Sequence, residues 1–455
     1  MILFNPELRR NIWLDFSIHR VTLTSILIWL ILHFFYLSNG LSKSANVAFN
    51  LACFFIFLWG AKNASETVIE EVNNNTWDFQ RQASTLPWSM AWGKLIGSTL
   101  FSWFATFICL VFYVLFSSSN TLVPEMYLLI VGGLFTQALT LLLSIQPLAQ
   151  IRRERTNKTF RYFVAGAVIG AIITHACFLA VKGNGGELLW HGWLFNKGNF
   201  AITSILLFLV LTTFGLQRTF CKELQYRNIP WAWTLFNIFC IVYFSGFATF
   251  TLPALEDNKL SAYKELKILL QHAPYYAAFS IGQLLTYFAL FTETLDTVRY
   301  KKIITRYVEK NVVEFLEQIP WWSISFILMI ITGTIAVIQQ PLNEELLENF
   351  SPSVFILTCT LFLFRDILLT HYFYFSKNPK RAVNTAVVYL LMLYILIPLL
   401  FGALHLSSWL PLLLPSWGQN TLLAIISSLT QILFLFFLCF EQWKLSWKQP
   451  RVMKA

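Results

Sequence analysis

Residues 73–88 read NNNTWDFQRQASTLPW, a polar and charged stretch between two runs that are almost wholly apolar. A connector between neighbouring helices needs only a few residues, yet the polar segment counted from Lys62 to Leu86 is 25 residues long. The apolar runs on either side set its context. The 455 residues are 56% hydrophobic and 12% charged, with a mean hydropathy of +0.60, whereas soluble domains carry about 25% charged residues. The chain is therefore expected in a bilayer. Apolar runs of about 17–25 residues, long enough to cross hydrocarbon as helix, occur at 20–38, 45–61, 97–117, 124–146, 162–181, 199–216, 232–254, 272–292, 321–340, 352–375, 382–406 and 420–440. The fold class expected is an all-α integral membrane protein of about 12 transmembrane helices.

Orientation follows from Lys and Arg, which cytoplasmic loops retain. With the N-terminus inside, 26 of the 33 basic residues fall on the inner side. They include Arg9, Arg10, Lys62, Arg81, Lys94, the cluster Arg152, Arg153, Arg155 and Lys158, then Arg299 to Lys310, Lys377, Lys380, Arg381, Arg451 and Lys454. The outer loops hold Lys43, Lys182, Lys197, Lys259, Lys264 and Lys267. Both termini are thus placed in the cytoplasm. The net charge of +10 needs no nucleic acid, because this bias and anionic headgroups account for it. All cysteines but Cys221 lie inside apolar spans, so no disulfide framework is implied. MILFNPELRR lacks the order of a cleaved signal, and the first span is expected to act as its own insertion signal.

The chain repeats itself weakly but in order. Arg10-Asn11-Ile12 matches Arg227-Asn228-Ile229, Glu66-Thr67-Val68 matches Glu293-Thr294-Leu295, Leu86-Pro87-Trp88 matches Ile319-Pro320-Trp321, and Trp190 matches Trp409. These divide the chain into two six-span halves, 1–216 and 217–455, each with a short amphipathic leading segment (residues 7–16 and 223–233) and a long inner loop ending in Pro-Trp. In the first loop, 62–86, Asn63 with Glu66 and Asn75 with Asp78 read as helix caps, predicting short helices over 64–72 and 76–84. Val68, Ile69 and Val72 form one apolar stripe there, and Pro87 suits the first turn of the third span. The second loop, 295–320, has apolar residues at helical spacing and predicts one helix of about 24 residues, about 36 Å long. Either loop serves equally as an interfacial helix on headgroups, but two at equivalent places favour docking of a two-fold partner.

Glu70-Glu71, Thr76-Trp77-Asp78, Gln80-Arg81, Leu86-Pro87-Trp88, Gly93-Lys94 and Gly97 resemble the membrane permease subunits of type 2 ATP-binding-cassette exporters. The resemblance implies that 62–86 is a coupling element seated in a groove of a separate cytoplasmic ATPase. Glu70, Glu71, Thr76, Trp77, Asp78, Gln80 and Arg81 would be its contact residues, joined by Arg299 and Arg306 from the second half. It further implies amphipathic leading helices and short re-entrant helices on the outer face, for which residues 187–195 (ELLWHGWLF) and 407–417 (SSWLPLLLPSW) are the candidates. Residues 306–322 keep Pro-Trp but lose the Thr-Trp-Asp and Gly-Lys elements. A phosphate-cradling GxxxxGK[ST] is absent from the chain. No cofactor is therefore expected in it, ATP and Mg belonging to the partner, and the chain itself is not expected to be an enzyme.

Arg365 and Asp366 stand inside the tenth span, where a charge costs about 2.5–3.5 kcal/mol on insertion scales. Adjacent helix positions point about 100° apart, so the two need not pair with each other. They read as a structural ion or hydrogen-bond pair locking neighbouring helices, or as part of a substrate path. His33, His175 and His405 lack a second ligand at i+3 or i+4, so no metal site is expected. Trp77, Trp88, Trp231, Trp321 and Trp443 on one side, and Trp190, Trp193, Trp409 and Trp417 on the other, read as interfacial belts. The function expected is the permease of an ATP-driven exporter in the cell (inner) membrane. The alternative is an ion- or proton-coupled secondary transporter, since six-plus-six repeats also occur there. Against it stand one Arg-Asp pair and only a short connection between the halves.

Overall fold

Ser17, whose side chain accepts the amide of Arg20, starts the first long helix, and Gly40 at φ 80° ends it. In this computed structural model the described residues are 5–82, 85–117, 121–146, 148, 159–183, 186–227, 230–249, 272–293, 297–339, 352–376, 382–415 and 421–448. Among them, 11 helices are long and apolar enough to cross a membrane. The protein is a helical multi-pass membrane protein whose regular structure is otherwise one two-stranded hairpin among these residues. The wide exposure of Leu, Ile and Phe on these helices has a physical cause: hydrocarbon, not water, is their expected surroundings.

The chain divides into two compact units, Met1–Leu188 with Leu194–Asn228, and Leu189–Trp193 with Ile229–Ala455. The first contains α1 (Pro6–Asp15), α2 (Ile18–Asn39), α3 (Leu41–Cys53), a π-helical stretch (Phe54–Gly60), α4 (Ala61–Asn73), α5 (Trp77–Gln82), α6 (Pro87–Phe116), α7 (Leu122–Ile145), α8 (Thr159–Lys182) and α9 (Lys197–Glu223). Helix α7 is the most enclosed and packs against α4, α8 and α9. Its approach to α8 depends on small residues: a Cβ on Gly132 would lie 2.4 Å from Thr174, and one on Gly170 2.4 Å from Thr136.

The second unit contains α10 (Trp231–Ser245), α11 (Ala273–Thr292), α12 (Thr297–Val308), α13 (Val312–Gln318), α14 (Trp321–Ile338), α15 (Pro352–Phe375), α16 (Ala382–Leu391), a π-helical stretch (Met392–Leu396), α17 (Ile397–Ala403) and α18 (Thr421–Lys448). Helix α11 packs on α10 and α14, and α15 packs on α18. The core is Phe279, Met329, Ile356, Leu363 and Ile367. Of the twelve expected spans, 272–292 forms helix α11 but is not among the 11, because Tyr275, Tyr276, Ser280 and Gln283 dilute its apolarity.

Several sequence expectations are corrected. The short second span and the helix expected over 64–72 form one continuous helix, Lys43–Asn73, so 64–72 is helical as expected but not a separate element, and Asn63 is not a cap. Its stripe Val68 and Ile69 is buried in a core cluster and does not rest on headgroups. The 24-residue helix is broken between α12 and α13, where Lys310 takes φ 57° and Asn311 caps α13 through the Glu314 amide. Residues 187–195 are not a helix: β1 (Glu187–Trp190) and β2 (Trp193–Asn196) pair through His191 at φ 48° and Gly192 at φ 81°, the positive-φ pair that tight hairpins require. Of 407–417, the described residues 407–415 are helical only over Ser407–Leu412, as a 3₁₀ segment. No leading helix spans 223–233, since Glu223 ends α9 and α10 begins at Trp231. The expected boundary at 216/217 therefore falls inside α9. Trp77 is buried and belongs to no belt.

The basic residues Arg152, Arg153, Arg155, Lys158, Lys259, Lys264, Lys267, Lys377, Lys380, Arg381, Arg451 and Lys454 lie outside the described residues, as do Asn228, Ile229, Leu295 and Trp417. The same holds for parts of the seventh, ninth and twelfth expected spans.

Candidate functional site

The helix ending at Asn73 stops in a turn of its own making. Thr76 N donates to the Glu71 carbonyl at 2.9 Å and Asn75 N to that of Val72 at 3.2 Å, with Asn75 at φ 59°. Asn tolerates this left-handed helix terminus better than other residues with a Cβ. Asn75 thus ends one helix and does not begin the next. The reversal brings α5 back so that Trp77, 1% exposed, enters a cluster with Val68, Ile69, Met90, Leu95 and Phe220.

Beside Trp77 lies the fully buried Lys94 of α6. Its Nζ is 2.5 Å from both Glu71 carboxylate oxygens, donates to Gln80 Oε1 at 2.6 Å, and is 2.9 Å from Glu7 Oε2. Gln80 Nε2 donates to Glu71 Oε1 at 2.9 Å, and Arg10 Nη2 donates to the same oxygen. The ammonium also stands 5.8 Å from the Trp77 ring centroid. Two carboxylates balance two cations, the condition under which a lysine can be buried. Burial opposes the charge of Arg10, but the hydrogen bond to Glu71 and the charges of Glu7 and Glu71 outweigh it and raise its pKa.

Helix α1 reaches this cluster because α6 has glycines where the two meet. A Cβ on Gly93 would lie 2.7 Å from Asn5 Oδ1, and one on Gly97 would lie 2.4 Å from Asn11 Nδ2. Asn5 caps α1 through the Glu7 amide at 3.0 Å and donates to the Ser89 carbonyl at 2.6 Å. On the other side, Arg81 Nε donates to the carbonyl of Glu223, the last residue of α9, at 2.9 Å, and Arg81 Nη1 is 3.4 Å from Asp78 Oδ1. The α5 element is therefore tied directly to α4, α6 and α9, and α1 meets the same cluster through Glu7 and Arg10.

Of the residues singled out by sequence, Glu71, Trp77 and Gln80 face inward and hold this element together. Glu70, Thr76 and Asp78 are exposed, with Phe79 beside them at 77% exposure. Glu7, Arg10 and Lys94 have roles that sequence reading missed. The only signal for them was Gly93-Lys94-x-x-Gly97, a pattern of close helix approach.

In the second unit Arg299 is likewise internal. Nε donates to the Gln318 carbonyl at 2.8 Å, Nη2 to that of Ile319 at 3.0 Å, and Nη1 pairs with Glu293. Glu293 also accepts the amide of Trp321 at 2.6 Å, holding the start of α14. Arg306 bridges Glu309 at 2.6 Å and Glu314 at 2.7 Å, joining α12 to α13. Arg299 and Arg306 belong to the second unit and the α5 element to the first.

Within the second unit, Arg365 and Asp366 do pair with each other: Arg365 Nε donates to Asp366 Oδ1 at 2.8 Å. Asp366 Oδ2 accepts from Tyr287 and Tyr394, each at 2.6 Å. Arg365 Nη1 donates to Gln431 Oε1 at 3.0 Å, and Gln431 Nε2 donates to the Leu412 carbonyl at 2.8 Å. One buried pair thus links α11, α15, α18, the π-helical stretch with Tyr394, and the 3₁₀ segment. In the first unit Gln137 plays a comparable part, donating to the Ile56 carbonyl in the π-helical stretch at 3.2 Å and accepting from Trp103 at 2.9 Å. Glu125 accepts from Tyr113 and Thr121.

A recess of about 440 Å³ opens on the first unit between the second and fifth spans. Its lining is Phe54, Phe57, Leu58 and Phe178, with Asn50, Thr174 and His175 as polar groups. Such a lining suits an apolar body carrying one or two hydrogen-bonding groups. Among the described residues no three His, Cys, Asp or Glu side chains group as a metal site. Compared with protein-family models, curated proteins and solved structures, the chain matches none.

Proposed function

We propose that this chain is the permease of an ATP-driven exporter in the cell (inner) membrane, coupled to separate cytoplasmic ABC ATPase subunits that carry ATP and Mg. The observation that carries this reading is the α5 element. It presents Asp78 and Phe79 outward while Gln80 joins it to Glu71 of α4 and Lys94 of α6, and Arg81 joins it to the end of α9. A partner that binds the outward face differently in two nucleotide states would shift those helices together. The two units are read as duplicated six-span halves with both termini in the cytoplasm. The recess lined by Phe54, Phe57 and His175 is the part of the first unit suited to an apolar cargo.

The second reading is an ion- or proton-coupled secondary transporter. It draws on Asp366, a carboxylate enclosed by Arg365, Tyr287 and Tyr394 within a spanning segment. Purification with a candidate ATPase, followed by ATPase assays on wild type and on Asp78→Ala/Phe79→Ala, tests the first reading. Loss of complex formation with an intact fold is expected. An unchanged complex and ATPase rate overturns the coupling role. Transport driven by a proton gradient without ATP would establish the second reading.

A further inference from the structure

We propose that the α12–α13 hairpin of the second unit binds the anionic headgroup layer of the membrane, with Ile304, Tyr307, Val308 and Val312 in the interface and Lys302 and Lys310 on lipid phosphates. Along α12, Tyr300, Ile303, Ile304 and Tyr307 follow the i, i+3, i+4, i+7 spacing of one helix face. Only the beginning of that stripe is covered. Tyr300 OH lies 2.6 Å from His371 Nε2, and its ring meets Phe375 and Trp443. Beyond it, Tyr307 is 71% and Val308 73% exposed, and Val312 follows across the turn.

The hairpin cannot leave the bundle surface. Arg299 closes its base on the Gln318 and Ile319 carbonyls and pairs with Glu293 at the end of α11, and α14 begins at Trp321. An apolar stripe held at the ends of membrane helices, with the exposed Lys302 on the opposite side of the helix and Lys310 in the turn, matches the requirements of an interfacial helix. Lys302 and Lys310 are exposed, and lysine stems extend along apolar surface while the ammonium reaches phosphate. The α5 element of the first unit has a different chemistry, since it exposes Asp78 and Phe79 while Arg81 is engaged with Glu223 and Asp78. A groove shaped for α5 is therefore a poor fit for this hairpin, whereas anionic lipid complements it. This inference does not depend on the ATPase assignment.

The test is amide hydrogen exchange of residues 302–316 in the full chain. It is reconstituted in nanodiscs of phosphatidylcholine alone or of phosphatidylcholine with phosphatidylglycerol. Protection is expected to rise with the anionic lipid, to fall on adding salt, and to drop by about fivefold for each lysine removed in Lys302→Gln and Lys310→Asn. Both variants lie at exposed positions, and exchange in α15 serves as the control for folding. Equal protection in the two lipids overturns the proposal. So does protection that arises only when a cytosolic ATPase is added, which would assign the hairpin to a protein partner.

Discussion

Lys94 of α6 and Glu71 of α4 meet in the interior of the first unit, with Nζ 2.5 Å from each carboxylate oxygen. The pair lies beneath the α5 turn and joins the helix that enters the turn to the helix that leaves it. Removing one partner leaves the other charge buried, which costs about 3–5 kcal/mol. Lys94→Met should therefore lower the thermal unfolding midpoint in detergent far more than Lys302→Met at an exposed position. Equal shifts would show that the pair is dispensable.

Trp77 and Phe79 are two residues apart and should behave oppositely. Trp77→Ala removes a buried ring and should cost about 3–5 kcal/mol of stability. Phe79→Ala, at a position 77% exposed, should leave stability nearly unchanged yet weaken binding of the proposed ATPase by more than about 2 kcal/mol, if Phe79 is an interface anchor. Unfolding curves and pull-down titrations of the two variants separate these roles.

Gly93 and Gly402 make a second contrast. A Cβ on Gly93 meets the Asn5 side chain at 2.7 Å and Glu7 Cβ at 2.9 Å, whereas one on Gly402 has nothing within 4 Å. Gly93→Ala should displace α1, loosening the Asn5 cap and the Glu7 contact with Lys94. Gly402→Ala should be neutral or add about 0.5–1 kcal/mol. Proteolysis of the N-terminal segment in each variant reports the displacement.

Asp366 is predicted to be a point of convergence. Tyr287→Phe and Tyr394→Phe each remove one donor and should cost about 0.5–3 kcal/mol, while Asp366→Ala leaves Arg365 unpaired and should cost about 3–5 kcal/mol. Gln431→Leu should release the Ser407–Leu412 segment, whose Leu412 carbonyl it holds at 2.8 Å. Faster hydrogen exchange confined to that segment is the expected signature.

Periodicity and composition locate the apolar helices well, because each apolar residue favours hydrocarbon largely independently of its distant neighbours. They fail where polar residues sit inside helices. Residues 64–72 read as a separate short helix because Asn63 with Glu66 resembles a cap, whereas the helix runs unbroken into them from the second span, and Glu71 within it is answered by Lys94 and Arg10. The π-helical stretch at Phe54–Gly60 has no local signal, and the Gln137 amide that bonds its Ile56 carbonyl comes from another helix. The β1–β2 hairpin is legible in principle from His191-Gly192, but its apolar composition points to a re-entrant helix. For α12 and α13, the helical spacing was visible and the break at Lys310 was not.

By itself the sequence determines that this is a helical membrane protein, where most of its helices run, and that Pro87 opens α6. Only the tertiary structure decides which polar groups answer one another: Glu71 with Lys94 and Arg10, Arg81 with the end of α9, and Arg365 with its own neighbour Asp366. Apolar transfer is set locally and sums along the chain. An ion pair or hydrogen bond exists only when two particular atoms come within about 3 Å, and for chain-distant partners that distance is a property of the packed helices.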